Sequence, residues 1–122
     1  DNLHMKGGTD MAEKSSLSGN NIMLLLQLLS EKDMYGYEIM ETLRERSENV
    51  FELKAGTLYP LLHSMELKKL LASYEQEAEG KKRKYYQITE EGRKQLATKK
   101  REWNEYSKAV TQIIGGTCYG TA

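Results

Sequence analysis

Between Ile22 and Leu29 the chain reads IMLLLQLL, seven apolar residues in eight. A helix made from this segment is apolar on nearly every face, so other elements must wrap it. The run is too short to cross a bilayer, which takes about 20 apolar residues. Any fold for this chain therefore buries a first helix, over about Ser18–Ser30, and brings amphipathic partners to it.

The segments that follow supply those partners. SEKDM makes a polar connection. The pattern then predicts a second helix over about Tyr35–Ser47, with Ile39, Met40 and Leu43 on one face and Glu38, Glu41, Arg44 and Glu45 toward solvent. Val50, Phe51 and Leu53 read as a short extended piece. Leu58, Leu61, Leu62 and Met65 fall at i, i+3, i+4 and i+7 and predict a third helix over about Ala55–Lys68. Pro60 lies near its start, where a missing N–H costs least. The opposite face carries Tyr59, Pro60, His63 and Leu67, with Thr57 at its edge.

LLASYEQE and KRKYYQIT read as two strands joined by AEGK, with Gly80 in the turn. Thr89 is placed to cap a last helix over about Glu90–Ile113, and Glu90 and Glu91 suit its first turn. Leu96, Trp103 and Val110 recur every seven residues along it, with Tyr106 and Ile113 as a second series interrupted by Gly92 and Lys99. Three helices, a ribbon and a long helix give a mostly α protein with a small two-stranded β-wing, a winged helix-turn-helix with a long C-terminal dimerisation helix. The expected division is a disordered arm or cloning remnant over 1–14, a winged-helix DNA-binding domain over 15–89, a dimerisation helix over 90–114 and a flexible tail over 115–122.

The 18 Lys and Arg balance the 18 Asp and Glu, so anion binding has to come from a local patch. That patch is Lys81, Lys82, Arg83 and Lys84, four consecutive cations at the hairpin. Packed on a turn they repel each other, and nothing in the fold asks for them. A row of phosphates opposite would offset that repulsion, with log K falling by roughly 0.9 per contact with log salt. A plain solvated turn is the bland alternative. Tyr85 and Tyr86 point to opposite faces of their strand, so one packs inward and the other is free for a phosphate. On the third helix Lys54, Thr57, Tyr59 and His63 can reach phosphates or base edges. The helix lacks the Arg, Asn and Gln that read bases through two contacts, so positioning contacts and DNA shape dominate. His63 also reads as an ordinary surface histidine, and Tyr59 as a packing tyrosine.

A domain this small cannot cover Leu96, Trp103, Tyr106, Val110 and Ile113 if their helix projects away from it, so a second copy of the chain is expected there. Two reading surfaces then meet double-stranded DNA at a pseudo-palindromic operator, with half-sites about 34 Å apart. Trp103 either stacks on a small aromatic effector or packs against the partner helix. Such an effector would release DNA by favouring the DNA-free arrangement. Cys118 is the only cysteine, which fits a reducing, cytoplasmic location. No metal set, cofactor loop or nucleophile constellation is present, and His4 and His63 are far apart, so an enzyme is not expected.

YGYEIMETL, KAGTLYPLLHSME and GKKRKYYQITEEG, followed by the long helix, resemble the PadR family of transcriptional regulators over Leu17–Val110. The single terminal helix resembles the smaller subgroup, which includes regulators that sense toxic or aromatic compounds. The resemblance implies a homodimeric winged-helix repressor whose last helix makes the dimer and whose third helix and wing touch operator DNA. It implies DNA contacts at Thr57, Tyr59 and Lys82 to Lys84, a backbone-phosphate contact where Tyr35 and Tyr37 flank the second helix, and an effector-lining role for Trp103. The chain departs from the family at Lys69, where a glycine usually ends the third helix, and at His63, a position commonly basic. The competing reading is a winged-helix protein–protein adaptor that does not bind DNA.

Overall fold

The computed structural model describes residues 20–115. The arm expected over 1–14, nearly all of the tail expected over 115–122, and His4 and Cys118 lie outside the described residues. Helix α1 occupies residues 20–31. It is followed by β1 (Met34–Tyr35), α2 (Gly36–Arg46), α3 (Ala55–Leu67), β2 (Leu71–Ala78), β3 (Lys81–Ile88) and α4 (Glu90–Ile114). As the IMLLLQLL run requires, Leu25, Leu26, Leu28 and Leu29 are buried at the centre. Around them pack Ile39 and Leu43 of α2, Leu58, Leu62 and Met65 of α3, and Tyr86 and Ile88 of β3. Leu61, on the shoulder of the α3 stripe, is only partly buried. Among the described residues no helix is long and apolar enough to cross a membrane.

The ribbon has a third strand. Met34 and Tyr35, expected in the connection and the start of the second helix, pair with Tyr86 and Tyr85, giving the antiparallel order β1-β3-β2. Two residues are too few to show a period, so only the tertiary pairing reveals them. Tyr35, Tyr85 and Tyr74 line up across the three strands on the face away from the core. Tyr85 stacks on Tyr74 with ring centroids 5.7 Å apart and meets Tyr35 edge-on at 5.4 Å. Tyr86, its neighbour, is the one that enters the core. Glu79 and Gly80 close the hairpin, both with positive φ, as a two-residue turn that follows the strand twist demands. The segment around Val50 and Phe51 is loop rather than strand, tied by the Ser47 hydroxyl, which accepts from Phe51 N at 2.9 Å.

Helix α3 begins at Ala55, where the sequence places it, so Pro60 is its sixth residue and lies beyond the first turn, the place where a missing N–H costs least. The Gly56 carbonyl thereby loses its helical donor, and Gly56 and Pro60 both lie exposed, where solvent can supply one. The helix ends in a Schellman turn: Lys69 N donates to Glu66 O and Leu70 N to Met65 O, both at 2.9 Å. Lys69 sits at φ 66, the left-handed region a β-carbon disfavours. Lys69→Gly is therefore expected to raise the unfolding free energy by about 1 kcal/mol, read as a higher urea midpoint at unchanged m; an unchanged or lower midpoint would count against strain at this residue.

Thr89 then joins three elements. Its hydroxyl accepts from Gly92 N at 2.9 Å, capping α4, and donates to Lys69 O at 2.7 Å. Gly92 lies against the same turn, so α4 leaves from directly above Leu70 and Ile88. One turn on, Leu96 is buried in the core of its own chain. This corrects its expected place in the dimerisation stripe: the helix does not leave the domain until after Leu96. Beyond it Trp103 is 44% exposed, Tyr106 65% and Ile113 84%.

Candidate nucleic-acid interface

The first turn of α2, the outer face of α3 and the upper part of β3 converge on a cleft of about 320 Å³, lined by Tyr35, Gly36, Tyr37, Tyr59, Arg83 and Lys84. Each is held there for a local reason. Tyr35 is the N-cap of α2 in extended conformation and supplies no side-chain cap, which leaves the first-turn N–H groups without a side-chain acceptor. Tyr59 crosses this helix start. A β-carbon on Gly36 would sit 2.2 Å from Tyr59 Oη, so only glycine lets the ring lie so close. The Arg83 guanidinium lies 4.4 Å over the Tyr35 ring, a cation–π contact that steadies a long side chain at the cleft edge. Its Nε is buried without a hydrogen-bond partner. Phenol hydroxyls, a guanidinium and helix N–H groups together suit an anion.

Of the residues expected to touch DNA, the fold thus brings Tyr35, Tyr59, Arg83 and Lys84 into one cleft. Lys81 and Lys82 lie further out on the same hairpin, both exposed. Thr57 and His63 are exposed on α3 outside the cleft. Lys54 is the N-cap of α3 and borders a separate cleft with Glu52 and Arg44.

The view that nothing in the fold asks for the cations needs correcting. Lys84 Nζ lies 3.5 Å from Glu66 Oε1 of α3, and Lys82 Nζ 3.9 Å from Glu75 Oε1 of β2. Ser73 Oγ donates to Glu66 Oε2 at 2.6 Å. That bond, helped by the Lys84 charge, holds the Glu66 carboxyl below the usual carboxylate range. On the far face, Tyr74 Oη donates to Asp33 Oδ2 at 2.7 Å, which pushes the phenol up to about 12. Neither Gly36 nor Glu66 is among the residues expected from the sequence to form the site. For Gly36 the available signal was a glycine between two tyrosines at a helix start. Glu66 resembles any solvent-side glutamate until β3 is laid beside α3.

Another, smaller groove runs between α1 and α4, about 190 Å³, with Met23, Leu24, Gln27, Lys100, Trp103 and Asn104 along it. Lys100 Nζ donates to Gln27 Oε1 across it at 3.3 Å. Among the described residues no group of three His, Cys, Asp or Glu is placed to hold a metal.

Helices α2 and α3 with the hairpin behind them define a winged helix-turn-helix protein, a class built to present one helix and a ribbon to a partner. The model of the transcriptional regulator PadR-like family matches residues 25–98. The chain belongs to that family of transcriptional regulators. It is similar to a transcriptional regulator from Clostridium thermocellum, at 34% identity and TM-score 0.75 over 82% of this chain and 98% of that one. It is also similar to a PadR family transcription regulator from Clostridium difficile, at 40% identity and TM-score 0.67 over 76% and 96%. A transcriptional regulator of Mycobacterium tuberculosis, Rv3488, is 33% identical over 73 residues, 60% of this chain and 65% of the relative.

Proposed function

We propose that the chain is a homodimeric, sequence-specific repressor of transcription that binds double-stranded DNA at a pseudo-palindromic operator in the cytoplasm and is released by a small aromatic effector. The observation that carries the DNA reading is the cleft that gathers Tyr35, Tyr59 and Arg83 around the first turn of α2. A phosphate seated there meets the open N–H groups and the positive end of the helix dipole. Tyr59 and the exposed residues of α3 would then lie along the groove beside that phosphate, where contacts position the protein more than they read bases. The exposed Trp103, beside the groove between α1 and α4, gives a flat effector an aromatic wall. Such a ligand releases DNA only if it binds the DNA-free arrangement better.

Titration of the full chain into a fluorescent duplex at a series of salt concentrations tests this. Binding is expected to weaken by several-fold for each doubling of salt, since every phosphate contact contributes roughly 0.9 to the slope. Selection from random duplexes should return two-fold symmetric sites, and a flat aromatic dye that quenches Trp103 should lower the affinity. No binding at low salt would replace this reading with the protein–protein adaptor.

A further inference from the structure

The hairpin sorts its charges by face. The register pairs Lys82 with Glu77 and Lys84 with Glu75, while Arg83 pairs with Gln76 and Lys81 with Ala78. Directly paired residues share a face, and faces alternate along a strand. Lys82 and Lys84 therefore stand on the Tyr86 side with Glu75 and Glu77. There Glu66 of α3 joins them, 3.5 Å from Lys84. That face holds two cations against three carboxylates. Lys81 and Arg83 stand on the other face, opposite a glutamine and an alanine, and neither makes an ion pair among the described residues. A run that is uniformly basic in sequence is thus cationic on one side of the ribbon and slightly acidic on the other.

Resting on the DNA reading above, we infer that the wing meets the phosphate backbone through Lys81 and Arg83, and that Lys82 and Lys84 are neutralised in place, with Glu66 as the residue that positions Lys84 against α3. The strength of the two ion pairs does not carry this, because exposed pairs are weak. Geometry does: a phosphate approaching Lys82 and Lys84 brings its charge against three carboxylates, whereas one approaching Lys81 and Arg83 meets none of the hairpin's own, and Asp33 on that side is already held by the Tyr74 hydroxyl. Arg83 is further held by the Tyr35 ring, so less side-chain freedom is lost when it binds. Glu66 also accepts from Ser73, which fixes its carboxylate where Lys84 reaches it.

The test uses the full chain and a random-sequence duplex, with affinity measured from low to moderate salt. Lys81→Gln and Arg83→Gln should each lower the slope of log K against log salt by about 0.9 per chain, the yield of one phosphate contact. Arg83→Lys should restore it, which a purely packing role for Arg83 would not allow. Lys82→Gln and Lys84→Gln should leave the slope unchanged. Glu66→Gln should raise it by about 0.9 as Lys84 becomes free, with a thermal melt checking that the fold is kept. Equal losses at all four cations, or an unchanged slope for both Glu66→Gln and Arg83→Gln, would overturn the inference while leaving DNA binding intact. A wild-type chain with no salt-dependent binding would overturn both.

Discussion

Gly92→Ala is expected to lower the unfolding free energy by about 3 kcal/mol, the opposite of what alanine does at most helical positions. At an exposed helix site the change would stabilise by about 1 kcal/mol through propensity alone. Here the new β-carbon would stand 2.3 Å from the Leu70 carbonyl oxygen and 2.7 Å from Ile88 Cγ1. The isoleucine could shift. The carbonyl cannot, because it accepts from Thr89 N at 3.1 Å. The first turn of α4 must then lift, which opens the Thr89 cap as well. Overpacking costs up to about 3 kcal/mol and a lost cap about 1, with about 1 returned by propensity. For a domain of this size that is a fall in Tm of roughly 15 °C at fixed protein concentration. An alanine variant as stable as wild type would mean that α4 does not rest on the Leu70 turn.

The same junction shows what could be seen in the sequence and what could not. Thr89 was legible as a cap because TEEG before an amphipathic run has few other uses. The burial of Leu58, Leu62 and Met65 was legible because helical spacing survives any tertiary arrangement. Leu96 was misplaced because a seven-residue repeat does not say where a helix parts from its domain; that depends on Gly92 letting α4 lie down on β3. Lys69 stands where the family usually has a glycine, yet it takes the left-handed turn, because the two hydrogen bonds of the helix end outweigh about 1 kcal/mol of strain. The wing was half legible. Its cations announced themselves, but their neutralisation needed the register. Once Ala78 is paired with Lys81, the alternation Glu75, Gln76, Glu77 against Lys82, Arg83, Lys84 follows by counting. Nothing in the sequence alone decides between that register and its neighbours by one residue, which would exchange the faces.

Tyr106→Gln combined with Ile113→Gln is expected to turn the proposed dimer into a monomer and to weaken operator binding by 10² or more. Both residues are exposed in the single chain, so the substitutions remove nothing from its own core, and glutamine keeps the helix propensity. Helix α4 has 25 residues and is about 37 Å long at 1.5 Å per residue. Its groove with α1 extends to Trp103 and Asn104. Beyond that, Tyr106, Val110 and Ile113 continue at alternating spacings of four and three residues, the stripe by which one helix packs along another. In a symmetric dimer two substitutions per chain strip four buried side chains, at about 1.5 kcal/mol each. The sum, about 6 kcal/mol, moves the dimer Kd by roughly 10⁴. A monomer engages one half-site alone and forfeits the 10²–10⁴ that linkage of two reading surfaces provides. Sedimentation of both proteins, followed by titration of a single and a doubled half-site, separates the terms: affinity for the single half-site should survive the substitution and only the doubled site should lose its advantage. A variant that remains dimeric, or a wild type that sediments as one chain at micromolar concentration, would remove α4 from the assembly.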